Sequence, residues 1–368
     1  MNLGVASTSL TTYSDRVPNV VRLVTFVVIL TPVGVIAQIP STSHEMYTAW
    51  CASCHAENGT GQVDVPTVTV EPMDFTDCSV TTPEPDADWE LVIAQGGPVA
   101  GLSSQMPGYG DSLSGGQIHA LISYIRTFCS EPAWPLGNVN FSRPIFTEKA
   151  FPENEVVILP SVSHGDEENG GQGVIKAVYE RRFGTRGQFE ISAPWRINTV
   201  GGRSTGLNDV TLGAKYVLHA NSASTRILSG GVEVKIPTGT KNQSDGGNTT
   251  ALEPYLLAGF AVSDFSLQTE LKIEMPMSDV TEVTEVVYNV YGGRDLSGLP
   301  STWSIGIELN GVDDRLAVTP QLRKGLTKTG ALATAWGVRI PIVNRQHQHT
   351  QWVGYLLWEY RDPVRAAP

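Results

Sequence analysis

Positive charge is in short supply in this chain. It has 25 Lys and Arg against 37 Asp and Glu, a formal net charge of −12, which excludes nucleic acid as a partner. Charge of either sign is sparse, at 17% of residues where soluble domains carry about 25%. No apolar run reaches the roughly 20 residues of a membrane helix. The longest, Leu23–Ala37, has 15 residues and is broken by Pro32. There is no HExxH, no GxSxG, no P-loop and no supported pair of catalytic carboxylates, so the hydrolase and nucleotide chemistries have no sequence basis. The reading that remains is a non-enzymatic one. Cysteine is rare, at four residues, whereas Gly is abundant at 37, which suits a turn-rich chain. At 368 residues the natural organisation is two domains.

Arg16 and Arg22 precede the apolar run, and Val35-Ile36-Ala37 ends it. A basic segment, a short apolar segment and a small-residue end form a secretory signal, with cleavage expected after Ala37. Residues 1–37 are therefore expected to be a signal peptide, and the rest to be exported.

Two of the four cysteines stand in WCASCHAENGTG, Trp50 to Gly61. Cys51, Cys54 and His55 have the C-x-x-C-H spacing of covalent haem c attachment. Each thiol adds to one haem vinyl group, and the adjacent histidine becomes the proximal iron ligand. A zinc site would need a second pair at short spacing, but Cys78 and Cys129 stand 51 apart. A thioredoxin-like pair would need a βαβ setting that is absent. One covalent haem is the expectation.

Downstream, Asn58-Gly59-Thr60-Gly61, then Met106-Pro107-Gly108-Tyr109-Gly110, then a segment starting at Ser114 with Ile118, Leu121, Ile122 and Ile125 on one helical face follow in order. In these elements the region resembles class I cytochromes c. That resemblance implies an all-α fold and Met106 as distal ligand, with Met46 and Met73 as rivals. His/Met ligation implies electron transfer rather than binding of oxygen or peroxide. His44, His119 and His164 read as surface or packing residues. In an oxidising compartment the leftover Cys78 and Cys129 are expected to form a disulfide, the alternative being two buried thiols. The bridge would constrain the unfolded chain by about 4 kcal/mol.

The period changes after the Pro-rich stretch beginning at Glu131. Phe265, Leu267, Thr269, Leu271, Ile273 and Met275 alternate with Ser266, Gln268, Glu270, Lys272 and Glu274. Phe189, Ile191, Ala193, Trp195 and Ile197 alternate in the same way with Glu190, Ser192, Arg196 and Asn198. About twelve such segments lie between Val156 and Tyr360, near the 9–11 residues of a tilted membrane strand. Aromatics sit near segment ends, and long joins alternate with short ones until Tyr291, as in outer-membrane barrels. The polar set, including Glu190, Arg196, Lys215, Glu233, Lys235, Glu270 and Lys272, is expected to face a salt-bridged interior.

Gly206–Thr240, with its DxxLGxKY strand and PTG end, resembles the barrel family named for the meta-pathway of phenol degradation. The resemblance implies fold, not substrate. One departure is the C-terminus, where Tyr360 is followed by RDPVRAAP instead of ending on an aromatic residue. The two halves together resemble cytochrome-porin fusions. The expected organisation is a signal peptide (1–37), an all-α class I cytochrome c domain (38–130), a linker (131–148) and an antiparallel transmembrane β-barrel of about twelve strands (149–362). The implied location is the outer membrane, with the haem domain on the periplasmic side. The implied partners are outer-membrane lipid and periplasmic or extracellular redox carriers.

Overall fold

The structure, a computed structural model, describes residues 42–62, 64–129, 134–163, 171–198, 204–223, 225–239, 249–263, 265–277, 283–296, 303–345 and 348–360. The expected signal peptide, His164 and the tail after Tyr360 lie outside them.

The first described region is helical. Its helices are α1 (Ser43–Trp50), α2 (Ala52–His55), α3 (Cys78–Thr81), α4 (Asp86–Gln95) and α5 (Gly115–Ile125). Capping sets where the two amphipathic ones begin. The Thr42 hydroxyl accepts from the Glu45 amide while the Glu45 carboxylate reaches back, and Ser114 and Gln117 do the same for α5, satisfying amide donors that a helix start otherwise orphans. The face foreseen for α5 is the buried one. Ile118, Leu121, Ile122 and Ile125 pack with Met46, Tyr47, Phe75, Trp89 and Ile93. Cys78 and Cys129 are disulfide-bonded, with Cα atoms 5.2 Å apart, and tie α3 to the chain just past α5.

The second region is a closed antiparallel barrel. Its strands are β1 (Glu155–Ser163), β2 (Gln172–Phe183), β3 (Gly187–Asn198), β4 (Ser204–Leu207), β5 (Val210–Asn221), β6 (Arg226–Ile236), β7 (Ala251–Val262), β8 (Phe265–Pro276), β9 (Glu285–Asp295), β10 (Trp303–Val312), β11 (Arg315–Gly325), β12 (Leu332–Val343) and β13 (Gln351–Glu359). Among the described residues the short β4 pairs only with β3. The other twelve strands form the wall, closed by the β1–β13 pairing.

Polarity is turned inside out relative to the helical domain. On β8, Leu271 is 47% exposed while Gln268 is 2% exposed. Phe265 and Ile273 face out with Leu271, and Glu270 faces in with Gln268. A wall apolar outside, polar inside and without free edges satisfies every backbone group in lipid. The barrel is therefore of the outer-membrane type. Exposed aromatics gather at the end where β1 begins and β13 finishes, with Phe183, Phe189, Phe260, Phe265, Trp303 and Trp358 forming an interfacial girdle. The same end carries the short joins 184–186, 222–225 and 263–264. The alternation then breaks, because 296–302 is a longer join at this end and 313–314 a short one at the other.

The interior is occupied by the chain itself. Residues 137–154, which overlap the segment expected to be a linker, run inside the wall. Val139, Phe141, Ala150 and Phe151 pack with Ile227, Tyr255 and Leu257, and Ile145 and Phe146 with Val178, Val353 and Tyr355. Inward-facing polar residues bind the segment's backbone. Gln268 donates to the Ser142 carbonyl (2.8 Å), Ser229 to the Ala150 carbonyl (2.6 Å), Lys215 to the Lys149 carbonyl (2.6 Å) and Tyr355 to the Arg143 carbonyl (2.7 Å). Glu308, fully buried, accepts from the amides of Ile145 (2.6 Å), Phe146 (3.1 Å) and Thr147 (2.9 Å). At mid-barrel the Glu148 amide donates to Glu270 (3.1 Å), and near the mouth the Glu153 amide donates to Gln188 (2.6 Å). The segment enters at the end of the barrel where β1 begins, passing β7 where Phe141 lies against Gly259, then reaches the middle of the lumen and returns to β1. Sequence composition marked only Glu131–Pro144, which overlaps the first part of this stretch, as a Pro-rich linker. The segment's fixed shape comes from hydrogen bonds to residues 35–212 positions away.

Candidate functional site: a CxxCH helix and a Met-Pro loop

Cys51 and Cys54 lie at the junction of α1 and α2 and are not joined in a disulfide. The helix places Cys51 against the apolar core beside Met46 and Tyr47. Burial, then the neighbouring Cys54, pushes the Cys51 thiol up to about 11. A redox CxxC pair works through a thiol lowered below its free value, so this environment suits a cysteine held as thiol for covalent attachment.

His55 ends α2, and its ring lies flat on Phe75, with centroids 4.4 Å apart and planes 15° apart. Its Nδ1 hydrogen-bonds the Met73 carbonyl at 3.2 Å, which orients the ring and leaves Nε2 as the nitrogen available to a metal. Burial holds the imidazole below its ordinary value, partly offset by that carbonyl. The ring is thereby kept in the neutral form that ligates iron.

Met106 lies in the loop between α4 and α5. The Gly97 amide donates to the Met106 carbonyl (2.9 Å), the Tyr109 amide to Ile93 (2.8 Å) and the Gly110 amide to Ala94 (3.0 Å), so the loop is stitched to the end of α4. A side chain at Gly97 would collide with the Ser103 carbonyl and meet the Met106 Cβ at 3.1 Å. Only glycine there lets the loop close. Tyr109 then stacks on Trp50 (centroids 5.9 Å apart, planes 3° apart) and donates to its carbonyl at 2.9 Å. The Met106 loop is thus joined to the residue immediately before Cys51.

Of the rival methionines, Met46 is buried in the core, and Met73 packs against that core with its backbone carbonyl bonded to His55. His44 and His119 are exposed and bonded to Tyr124 (2.9 Å) and Gly115 (2.7 Å). Two cysteines and a neutral imidazole within one short helix and its cap, with the Met106 loop joined to the residue before them, are residue types that fit haem c. Residues 40–125 match the family described as cytochrome C oxidase, cbb3-type, subunit III. This region is a cytochrome c domain.

The cytochrome domain is fixed to the barrel by contacts the sequence did not announce. The Gly137 amide donates to the Thr82 carbonyl (2.6 Å), and the Arg182 side chain to the Ser79 carbonyl (3.1 Å). Asp86 and Asn138 bond reciprocally, amide to Oδ1 at 2.9 Å and Nδ2 to carboxylate at 2.8 Å. Arg126 anchors the other Asp86 oxygen at 2.7 Å. These contacts lie at the end of the barrel where β1 begins.

Solved structures similar to part of this chain include the COG4313 outer membrane channel from Pseudomonas putida F1 (14% identity, TM-score 0.41, covering 60% of this chain and 100% of that one). The KdgM porin in complex with disordered oligogalacturonate (13%, 0.40, 56% and 99%) and the NanC porin (8%, 0.39, 56% and 100%) are others. No curated protein matches the chain. The chain joins a cytochrome c domain to a twelve-stranded outer-membrane-type barrel.

Proposed function

We propose that this protein is an outer-membrane electron carrier. One haem c is attached covalently through Cys51 and Cys54, with His55 as proximal ligand and Met106 as distal ligand. It exchanges single electrons between periplasmic carriers and a donor or acceptor at the outer membrane. The observation that carries the reading is the CxxCH helix whose His55 presents Nε2 while Nδ1 is held by the Met73 carbonyl at 3.2 Å. With His and Met the iron's coordination is filled, which suits electron transfer and a fairly high potential.

The cytochrome domain faces the periplasm in this reading, since both barrel termini lie at its end and an even number of strands returns the chain to that side. Between residues 42 and 129 the chain has eleven Asp and Glu and a single Arg or Lys, Arg126, which is engaged with Asp86. A field of one sign steers cationic redox partners to the domain. An open-pore role is disfavoured by the chain segment inside the lumen.

The test is a redox titration of the purified protein with optical spectra. The wild type is expected to show a one-electron wave and the near-infrared sulfur–iron charge-transfer band of the oxidised state. Met106→Ala should abolish the band and lower the potential. A band that survives in Met106→Ala moves the ligand to another methionine, and a protein without covalent haem overturns the reading.

A further inference from the structure

The lumen holds three carboxylates that electron transfer does not use. Glu148 stands at the deepest point of the internal segment, Glu190 on β3 and Glu233 on β6. One oxygen from each lies within 4.8 Å of the others. The wall brings two of them together by register. Glu190 and Glu233 both pair with Gly213 of β5, one from each side. A Cβ at position 213 would meet the Glu233 Cγ at 3.0 Å and the Glu190 Cβ at 3.5 Å. Glycine in the LGxKY stretch therefore opens the space into which the side chains converge, and Glu148 completes the group from the opposite direction.

The group is short of compensation. Lys272 is 2.9 Å from Glu233, but it also faces Glu148 (3.4 Å), Glu270 (3.6 Å) and Glu253 (4.0 Å). Lys215 directs its ammonium to the Lys149 carbonyl, and it and Lys176 are the further positive neighbours of Glu148. Among the described residues Glu190 makes no ion pair within 4.0 Å, its opposite charges being Lys176 and Arg143, and Arg143 is already engaged by Glu155 and Glu180. Glu233 is 5% exposed, and its Oε1 is buried with no hydrogen-bond donor. Buried carboxylates are stable only when hydrogen-bonded, protonated or bound to a cation, and three oxygens converging at this spacing are hard ligands of the kind that hold Ca²⁺, Mg²⁺ or Mn²⁺.

We propose that Glu148, Glu190 and Glu233 form a site for a hard divalent cation, which pins the internal segment to the barrel wall. The cation bridges two β-strands and the turning point of the segment, so the segment's fold and cation binding are coupled.

The test uses the full-length protein in detergent, stripped with EDTA, dialysed and titrated with Mn²⁺ while the free-ion EPR signal is followed. One Mn²⁺ per chain should be taken up. Glu190→Gln and Glu233→Gln should each weaken binding by about tenfold or more, within the 10–100-fold range seen when metal-site partners are lost. Gly213→Ala keeps every carboxylate but fills the gap between two of them, and should also weaken uptake. Asp111→Asn, on an exposed loop of the cytochrome domain, should leave it unchanged. Heat-modifiable gel mobility verifies that each barrel is folded. If the glutamine variants fail to fold, the wild-type stoichiometry and Gly213→Ala decide. Stripped wild-type protein that takes up no Mn²⁺, as expected if shared protons satisfy the carboxylates, overturns the proposal. So does uptake that the variants leave unaltered. Neither outcome depends on the haem.

Discussion

In the cytochrome domain Tyr47, Leu121 and Ile122 are inside; in the barrel Leu256, Leu271 and Trp352 are outside, and Glu308, Gln188 and Glu180 are inside. One chain thus solves burial twice, with opposite residues, because the two regions meet different solvents. Helical spacing of apolar residues makes a dry core in water. Strict alternation makes a wall with one face for lipid and one for the lumen. The lumen is polar yet dry enough that its groups must be paired, so it needs the internal segment as much as the segment needs the wall.

The largest way to break this contrast is Glu308→Ala. It leaves the buried amides of Ile145, Phe146 and Thr147 without an acceptor, at about 1–3 kcal/mol for each. The expected outcome is release of the internal segment, read as new protease cleavage between residues 139 and 153, with the cytochrome domain's haem spectrum unchanged. Next is the paired change Cys78→Ser with Cys129→Ser. It should destabilise the cytochrome domain alone by up to about 4 kcal/mol, measured by denaturant titration of its near-UV signal. Leu271→Arg sharpens the other half. An arginine on the lipid face of β8 should cost the barrel about 2–4 kcal/mol if it sits at mid-membrane, measured by unfolding from lipid vesicles. Unfolding from vesicles that the substitution leaves unchanged would deny that this face meets lipid.

The smallest effect is electrostatic. Burial lowers the His55 imidazole in the folded domain, so the unfolded chain takes up the proton first. In haem-free protein with both Cys51 and Cys54 changed to Ser, this stability is present above about pH 6.5. It should be lost as pH falls through the folded value. The melting temperature should fall on acidification in that window, and His55→Gln should flatten the response.

Much of this was legible in the residues. The CxxCH spacing, the Ser114 cap, the apolar face of α5 and the alternation of β3 and β8 are local patterns, and local patterns survive folding when one face is buried. The lumen-facing set, Glu190 through Lys272, followed from alternation alone. The internal segment was not legible, because residues 137–154 have no period of their own and take their shape from distant strands. Glu308 and Gly213 look like ordinary strand residues until register brings Glu308 under three amides and places Gly213 between two glutamates. The weakening of the loop pattern after Tyr291 was visible in sequence. Its cause, a longer join at 296–302 and a short one at 313–314 on opposite ends, needed strand directions.

The central claim, that one covalent haem sits in a chain resident in the outer membrane, is tested most directly by haem staining of a denaturing gel of separated cell-envelope fractions. The account predicts peroxidase-active haem migrating with this chain in the outer-membrane fraction, and its complete loss from that band when Cys51 and Cys54 are both changed to Ser. Stain that is absent from the wild-type band, persists in the double variant, or follows the chain into the soluble or inner-membrane fraction would contradict it.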